Sequence, residues 1–132
     1  MKKEVAMKEI ITSDKAPKAI GPYSVASRAH GFVFCSGQLG LDPQTGDLVA
    51  GGVEAQAKQA MENVKNVLTA AGCDLTDIVK TTIFLVDMKD FPVVNSVYGS
   101  YFEANYPARS TIAVAALPKG GVIEIEVTAL AH

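Results

Sequence analysis

Apolar residues in this chain recur at three- and four-residue spacing in some stretches and alternate with polar residues in others, and these two periods divide it into elements. Val53, Ala57, Met61, Val64, Leu68 and Ala71 share one side of a helical wheel, with Gln56, Lys58, Glu62 and Lys65 between them. That spacing predicts an amphipathic helix over 53–71, stopped by Gly72. A second stripe of Phe91, Val94, Tyr98, Tyr101 and Phe102 predicts a helix capped by Asp90, with Pro92 in its first turn and Tyr106-Pro107 at its end. Short strands are expected over 5–11, 25–28 and 32–35, the last two joined through Ala29-His30-Gly31. Residues 78–86 are β-branched and apolar on both faces, as in an interior strand. Strands over 110–117 and 122–131 follow, and the second alternates Ile123, Ile125 and Val127 with Glu124, Glu126 and Thr128.

Two helices suffice to cover one face of such a sheet, which makes an α+β fold with a mixed sheet and both helices on one side. Turn signals come at short intervals without repeats or a low-complexity linker, so residues 1–132 are expected to form a single domain. The bulky aliphatic positions, Ile112 and Val114 among them, are the natural candidates for the covered face. The other face would then carry small residues together with Arg109, Thr111, Glu124 and Glu126. Such a face is either wet or opposed to a second subunit.

Composition narrows the function. The 132 residues include 48% hydrophobic ones, enough for a core, yet no apolar run approaches the roughly 20 residues needed to cross a bilayer. The first residues carry two lysines but no apolar segment after them, which favours a cytoplasmic protein over a secreted one. Net charge is −2 and the basic residues are scattered, so there is no electrostatic footprint for nucleic acid. Cys35 and Cys73 stand far apart in sequence and read as buried thiols; His30 and His132 read as solvated surface. No cofactor or metal is expected, since phosphate-binding glycine loops and ligand-spaced His, Cys or carboxylate clusters are absent from the sequence.

Carboxylate, guanidinium and hydroxyl chemistry remains. Arg109 opens a strand, where a guanidinium could grip a small carboxylate through two parallel hydrogen bonds, or simply lie in a surface salt bridge. Glu124 could position or deprotonate a water, although Glu126 is an equally good candidate and either could be a plain solvent-facing strand residue. Gly21-Pro22 sets a turn that presents Tyr23, unless that ring packs into the core. Ser36-Gly37 ends a strand where glycine permits close approach of a ligand, and a plain turn explains it equally well.

Six segments together resemble a known family: Ile20-Gly21-Pro22-Tyr23-Ser24, Ser36-Gly37-Gln38, Asn95-Ser96-Val97-Tyr98, Pro107-Ala108-Arg109-Ser110, Leu117-Pro118-Lys119 and Ile123-Glu124-Ile125-Glu126. Their order and approximate spacing are similar to those of the reactive intermediate/imine deaminases (RidA, or YjgF, family) over residues 7–131, with 1–6 as a possible N-terminal extension. The resemblance implies a chorismate-mutase-like fold assembled as a homotrimer with sites between subunits. It also implies hydrolysis of 2-imino acids, such as 2-iminobutanoate and 2-iminopropanoate, to 2-keto acids and ammonia. Carried over by position, the site comprises Arg109, Glu124 and Tyr23 as catalytic residues, and Arg109, Ser36, Gly37, Asn95 and Thr111 as substrate-binding ones. Two positions depart from the common pattern: Thr111 stands where many members have cysteine, and Val25 where they have glutamine. The competing reading is a trimer that binds keto acids as a regulator, without turnover.

Overall fold

The computed structural model describes residues 7–132, so the part of the expected first strand before Met7 lies outside the described residues. Seven strands form one sheet: β1 (Glu9–Ile11), β2 (Ala26–Ala29), β3 (Phe32–Cys35), β4 (Gln38–Leu39), β5 (Ile78–Leu85), β6 (Ala108–Ala113) and β7 (Ile123–Leu130). The strand order is β1-β2-β3-β7-β5-β6, with β4 also paired to β7. All pairings are antiparallel except β5 with β6. That parallel pair needs a crossover, supplied by the second of two helices, α1 (Gly52–Ala70) and α2 (Phe91–Gly99).

Helix α1 is the predicted amphipathic helix. Ala57, Met61, Val64 and Leu68 are buried against Ile83, Leu85, Ile123 and Ile125 of the central strands. Each large aliphatic side chain so buried contributes about 1.5–3 kcal/mol. The helix stops where Gly72 takes φ 79°, a left-handed conformation that releases the chain toward Cys73. Cys35 and Cys73 are both free and buried, as expected of packing thiols, and burial pushes the Cys35 thiol up to about 12. His30 and His132 are exposed; His30 occupies the tight β2–β3 turn with φ 51°.

Four local expectations are corrected. Gln56, read as part of the polar face of α1, is buried, and its Oε1 accepts a hydrogen bond from the Val122 amide at 3.0 Å. Helix α2 ends at Gly99 rather than near Tyr106: the Ser100 hydroxyl donates to the Val97 carbonyl at 2.6 Å, and the chain leaves through short-range turns at Tyr101 and Phe102. Asp90 stands at the N-cap position of α2, but its side chain makes no capping bond there. Residues 38–39, for which the sequence pattern predicted no element, pair with Ile125 and Glu124 of β7.

The fourth correction moves the site. Strand β6 runs from Ala108 to Ala113, not over 110–117, and its faces are reversed from expectation. In β5–β6 the partners are Thr81 with Arg109 and Ile83 with Thr111, and both Thr81 and Ile83 are fully buried beneath the helices. Arg109 and Thr111 therefore share the helix-covered side. Ile112 pairs with Phe84, which in turn faces Glu124, and it lies on the open side at 45% exposure. As an edge strand, β6 has no neighbour to enforce a fully apolar inner row, so a guanidinium can lie at the helix margin.

Candidate functional site

The open face carries the carboxylates. Glu124 and Glu126 alternate with buried Ile123, Ile125 and Val127 along β7, and Glu124 is half-buried where β7 meets the β3–β4 connection. Its carboxyl pKa is raised, first by burial and then by the neighbouring Glu126 charge. Gly37 makes that position possible. A Cβ built there would stand 2.6 Å from Glu124 Oε2, so any larger residue would displace the carboxylate.

Beside Glu124 opens a cleft of about 710 Å³ whose walls include Tyr23, Val25, Ser36, Gly37 and Glu126. Pro22 is spanned by a hydrogen bond from the Tyr23 amide to the Gly21 carbonyl at 2.8 Å, and this tight turn leaves the Tyr23 ring half-exposed over the cleft. The Ser36 hydroxyl donates to the Ser24 carbonyl at 2.6 Å, and the Ser36 amide donates to the Val25 carbonyl at 2.9 Å. Ser36 thus ties the tyrosine-bearing turn to the end of β3. Its proton is committed to that bond, leaving the hydroxyl as an acceptor toward the cleft.

The guanidinium is elsewhere. Arg109 Nη2 donates to Asn95 Oδ1 at 2.7 Å, and its Cζ lies 5.1 Å from the Tyr98 ring centroid and 5.6 Å from that of Phe91. All three partners are on α2. A separate cleft of about 460 Å³ runs beside Arg109, between α2 and Tyr106-Pro107, and shares no lining residue with the first. Thr111 continues the row, but its Oγ1 is buried without a hydrogen-bond partner and lines neither cleft.

The chain therefore carries two separate clusters of candidate residues. Tyr23, Ser36, Gly37 and Glu124 converge on the open side; Asn95 and Arg109, with Thr111 behind them, converge at the α2 margin on the covered side. The expectation that Arg109, Thr111, Glu124 and Glu126 share a face is overturned, because the β5–β6 and β5–β7 registers set them on opposite sides of the sheet. The sequence reading also missed Phe91 and Tyr98, placing both in a core stripe. Their seven-residue spacing on a helix leading directly into the arginine-bearing strand is the signal that could have marked them.

Among the described residues no group of three His, Cys, Asp or Glu is arranged to hold a metal, and no helix is long and apolar enough to cross a membrane. The chemistry on view is that of a half-buried carboxylate and a separate guanidinium.

Known proteins carry the same framework. Residues 13–131 match the family model described as endoribonuclease L-PSP. A human 2-iminobutanoate/2-iminopropanoate deaminase is 52% identical over 124 residues, covering 94% of this chain and 90% of its own. A crystal structure of RidA from an Antarctic Psychrobacter superposes with a TM-score of 0.89 at 48% identity, covering 92% of this chain and 98% of that one. The structure of E. coli TdcF with bound serine gives 0.89 at 43% identity, covering 94% and 99%. The chain belongs to the endoribonuclease L-PSP family, the YjgF/RidA family that its six segments resemble.

Proposed function

We infer that this protein is a 2-iminobutanoate/2-iminopropanoate deaminase, acting in the cytoplasm as a homotrimer whose sites form between subunits. The observation that carries the chemistry is Glu124, a half-buried carboxylate with raised proton affinity, set against a glycine backbone in a cleft. Such a group is suited to taking a proton from water near neutral pH. Two relatives support the substrate class: the human protein bears the deaminase name, and TdcF was crystallised with serine, which carries an α-carboxylate. The free thiols suit a reducing compartment.

The reaction follows from the groups. Arg109 of one subunit binds the substrate carboxylate through the guanidinium edge not used by Asn95. Asn95 offers its oxygen to Arg109, because a guanidinium has only donors; its amide nitrogen then remains to donate to the substrate. Thr111 contributes backbone groups beside them. From the next subunit come Tyr23 and the Ser36-Gly37 backbone, which orient the imine, and Glu124, which deprotonates a water as it adds to the C=N carbon. Glu124 returns that proton to the nitrogen, giving a neutral carbinolamine; the hydroxyl then yields its proton to Glu124 as the amino nitrogen gains one and the C–N bond breaks, releasing ammonia and leaving the 2-keto acid. Water is the only co-reactant.

The oligomer is proposed because the half-sites lie on opposite faces of one chain. A head-to-tail contact between unlike patches closes as a ring, and three copies give three complete sites. The open face also displays apolar side chains suited to burial, including Phe34 at 47% and Ile112 at 45% exposure.

A lactate-dehydrogenase-coupled assay with freshly generated 2-iminopropanoate tests the activity. The protein should raise pyruvate formation above the spontaneous rate. Binding of keto acid with no acceleration would instead identify a regulatory trimer.

A further inference from the structure

Arg109 is held by groups that carry no charge. The ion pairs among the described residues join Arg28 to Glu9, Lys58 to Glu54 and His132 to Asp77; none engages Arg109. Its partners are an amide oxygen and two ring faces. This matters on a strand at the sheet edge, where a long side chain would otherwise sample many rotamers and pay that entropy on binding. A carboxylate partner would hold the guanidinium just as well but would compete with an anionic substrate. Ring faces attract the cation through their quadrupole without occupying its hydrogen-bonding edge.

Of the two rings, Tyr98 is the fixed one. It is 4% exposed, and its hydroxyl donates to Thr81 Oγ1 at 2.9 Å. Thr81 is fully buried and is the register partner of Arg109 across β5–β6. A closed circuit results: strand pairing fixes the Arg109 backbone opposite Thr81, Thr81 fixes the phenol, and the phenol ring lies against the guanidinium. Phe91, on the same helix and half-buried, supplies a looser second wall.

We propose that Tyr98, anchored by Thr81, is a positioning residue that presents the uncompensated Arg109 guanidinium to the substrate carboxylate. The proposal rests on the reading of Arg109 as the carboxylate clamp. The ring sets the rotamer and plane of the guanidinium, whereas Asn95 takes one of its nitrogens. Tyr98 is 4% exposed and lies against the guanidinium, outside the Glu124 cleft, so its loss acts on carboxylate binding more than on the step at the imine carbon.

The test compares Tyr98→Leu, Tyr98→Phe, Phe91→Leu and Arg109→Lys in the full-length oligomer. It measures 2-oxobutanoate affinity, KM and kcat for 2-iminobutanoate, and the side-chain NMR resonances of Arg109, which lie in the ring current of Tyr98. Tyr98→Leu should weaken 2-oxobutanoate binding and raise KM by roughly three- to tenfold, with a smaller change in kcat. Tyr98→Phe keeps the ring and should recover most of that loss and retain the shifted resonances. Phe91→Leu should move binding in the same direction by less, and it decides the matter if Tyr98→Leu does not assemble. Unchanged 2-oxobutanoate affinity in both leucine variants overturns the proposal, as does a Tyr98→Leu variant whose Arg109 resonances stay at their wild-type positions. If Arg109→Lys also binds 2-oxobutanoate like wild type, the clamp itself has failed; if Arg109→Lys weakens binding and the ring variants do not, only the positioning role has failed.

Discussion

The Glu124 region and the Arg109 region solve opposite electrostatic problems. Glu124 is an anion on the open face, partly desolvated and beside a second carboxylate, so its surroundings favour the protonated form. Arg109 is a cation at the margin of the covered face, held by one amide and two aromatic rings that leave its charge uncompensated. In the proposed function one region makes a base by withholding solvation, and the other keeps an anion receptor open by withholding a counter-ion. They lie on opposite sides of one sheet, and in the proposed trimer a second copy brings them together.

Changing each group in turn tests that division. Glu124→Gln should lower kcat by about 10²–10⁴, because the amide holds a water but accepts no proton, while 2-oxobutanoate affinity stays near wild type. Arg109→Lys keeps the charge but loses the planar fork. At about 1.5–3 kcal/mol for each bond to a charged group, kcat/KM should fall roughly 10- to 100-fold, with a matching loss of keto-acid affinity. Equal effects of both variants on binding would collapse the distinction between the two regions. Folding gives a control: the raised Glu124 pKa means that the folded state holds the proton more tightly than the unfolded one. Stability therefore declines as pH rises through the window between the ordinary and raised values. Glu124→Gln escapes that penalty and should melt no lower than wild type at neutral pH.

The sequence carried more of one region than of the other, for a physical reason. Strand β7 declares its faces, since Ile123, Ile125 and Val127 can only point inward and thereby send Glu124 and Glu126 outward. Strand β6 declares nothing. Ala108, Ser110 and Ala113 fit either side, Ile112 misleads by lying exposed, and only the pairing with β5 fixes Arg109 beneath the helices. The phenol of Tyr98 was equally invisible, because a buried tyrosine in an apolar stripe reads as core until its Thr81 partner is known. The resemblance of the six segments named candidate residues without saying which of them share a face.

Smaller changes sharpen the Glu124 side. Gly37→Ala places a methyl group 2.6 Å from Oε2, and the side chain can swing away, so the fold should survive while kcat drops roughly tenfold. A wild-type rate in that variant would mean that the observed carboxylate position is not the working one. Glu126→Gln removes the secondary cause of the raised Glu124 pKa. The acid limb of the rate profile, where activity rises as Glu124 ionises, should move to lower pH. Because burial is the larger cause, the limb should remain above the ordinary glutamate range.

The central claim, that Arg109 of one subunit works with Glu124 of another, is tested most directly by mixing inactive parents. Glu124→Gln and Arg109→Lys proteins, each checked for trimer mass, are unfolded together in equal amounts, refolded and assayed with 2-iminobutanoate. Interfaces that join the intact Arg109 of one variant to the intact Glu124 of the other should restore about a quarter of wild-type activity under random assembly. Mixed trimers no more active than the parents would place both residues in the same subunit's site and contradict the account.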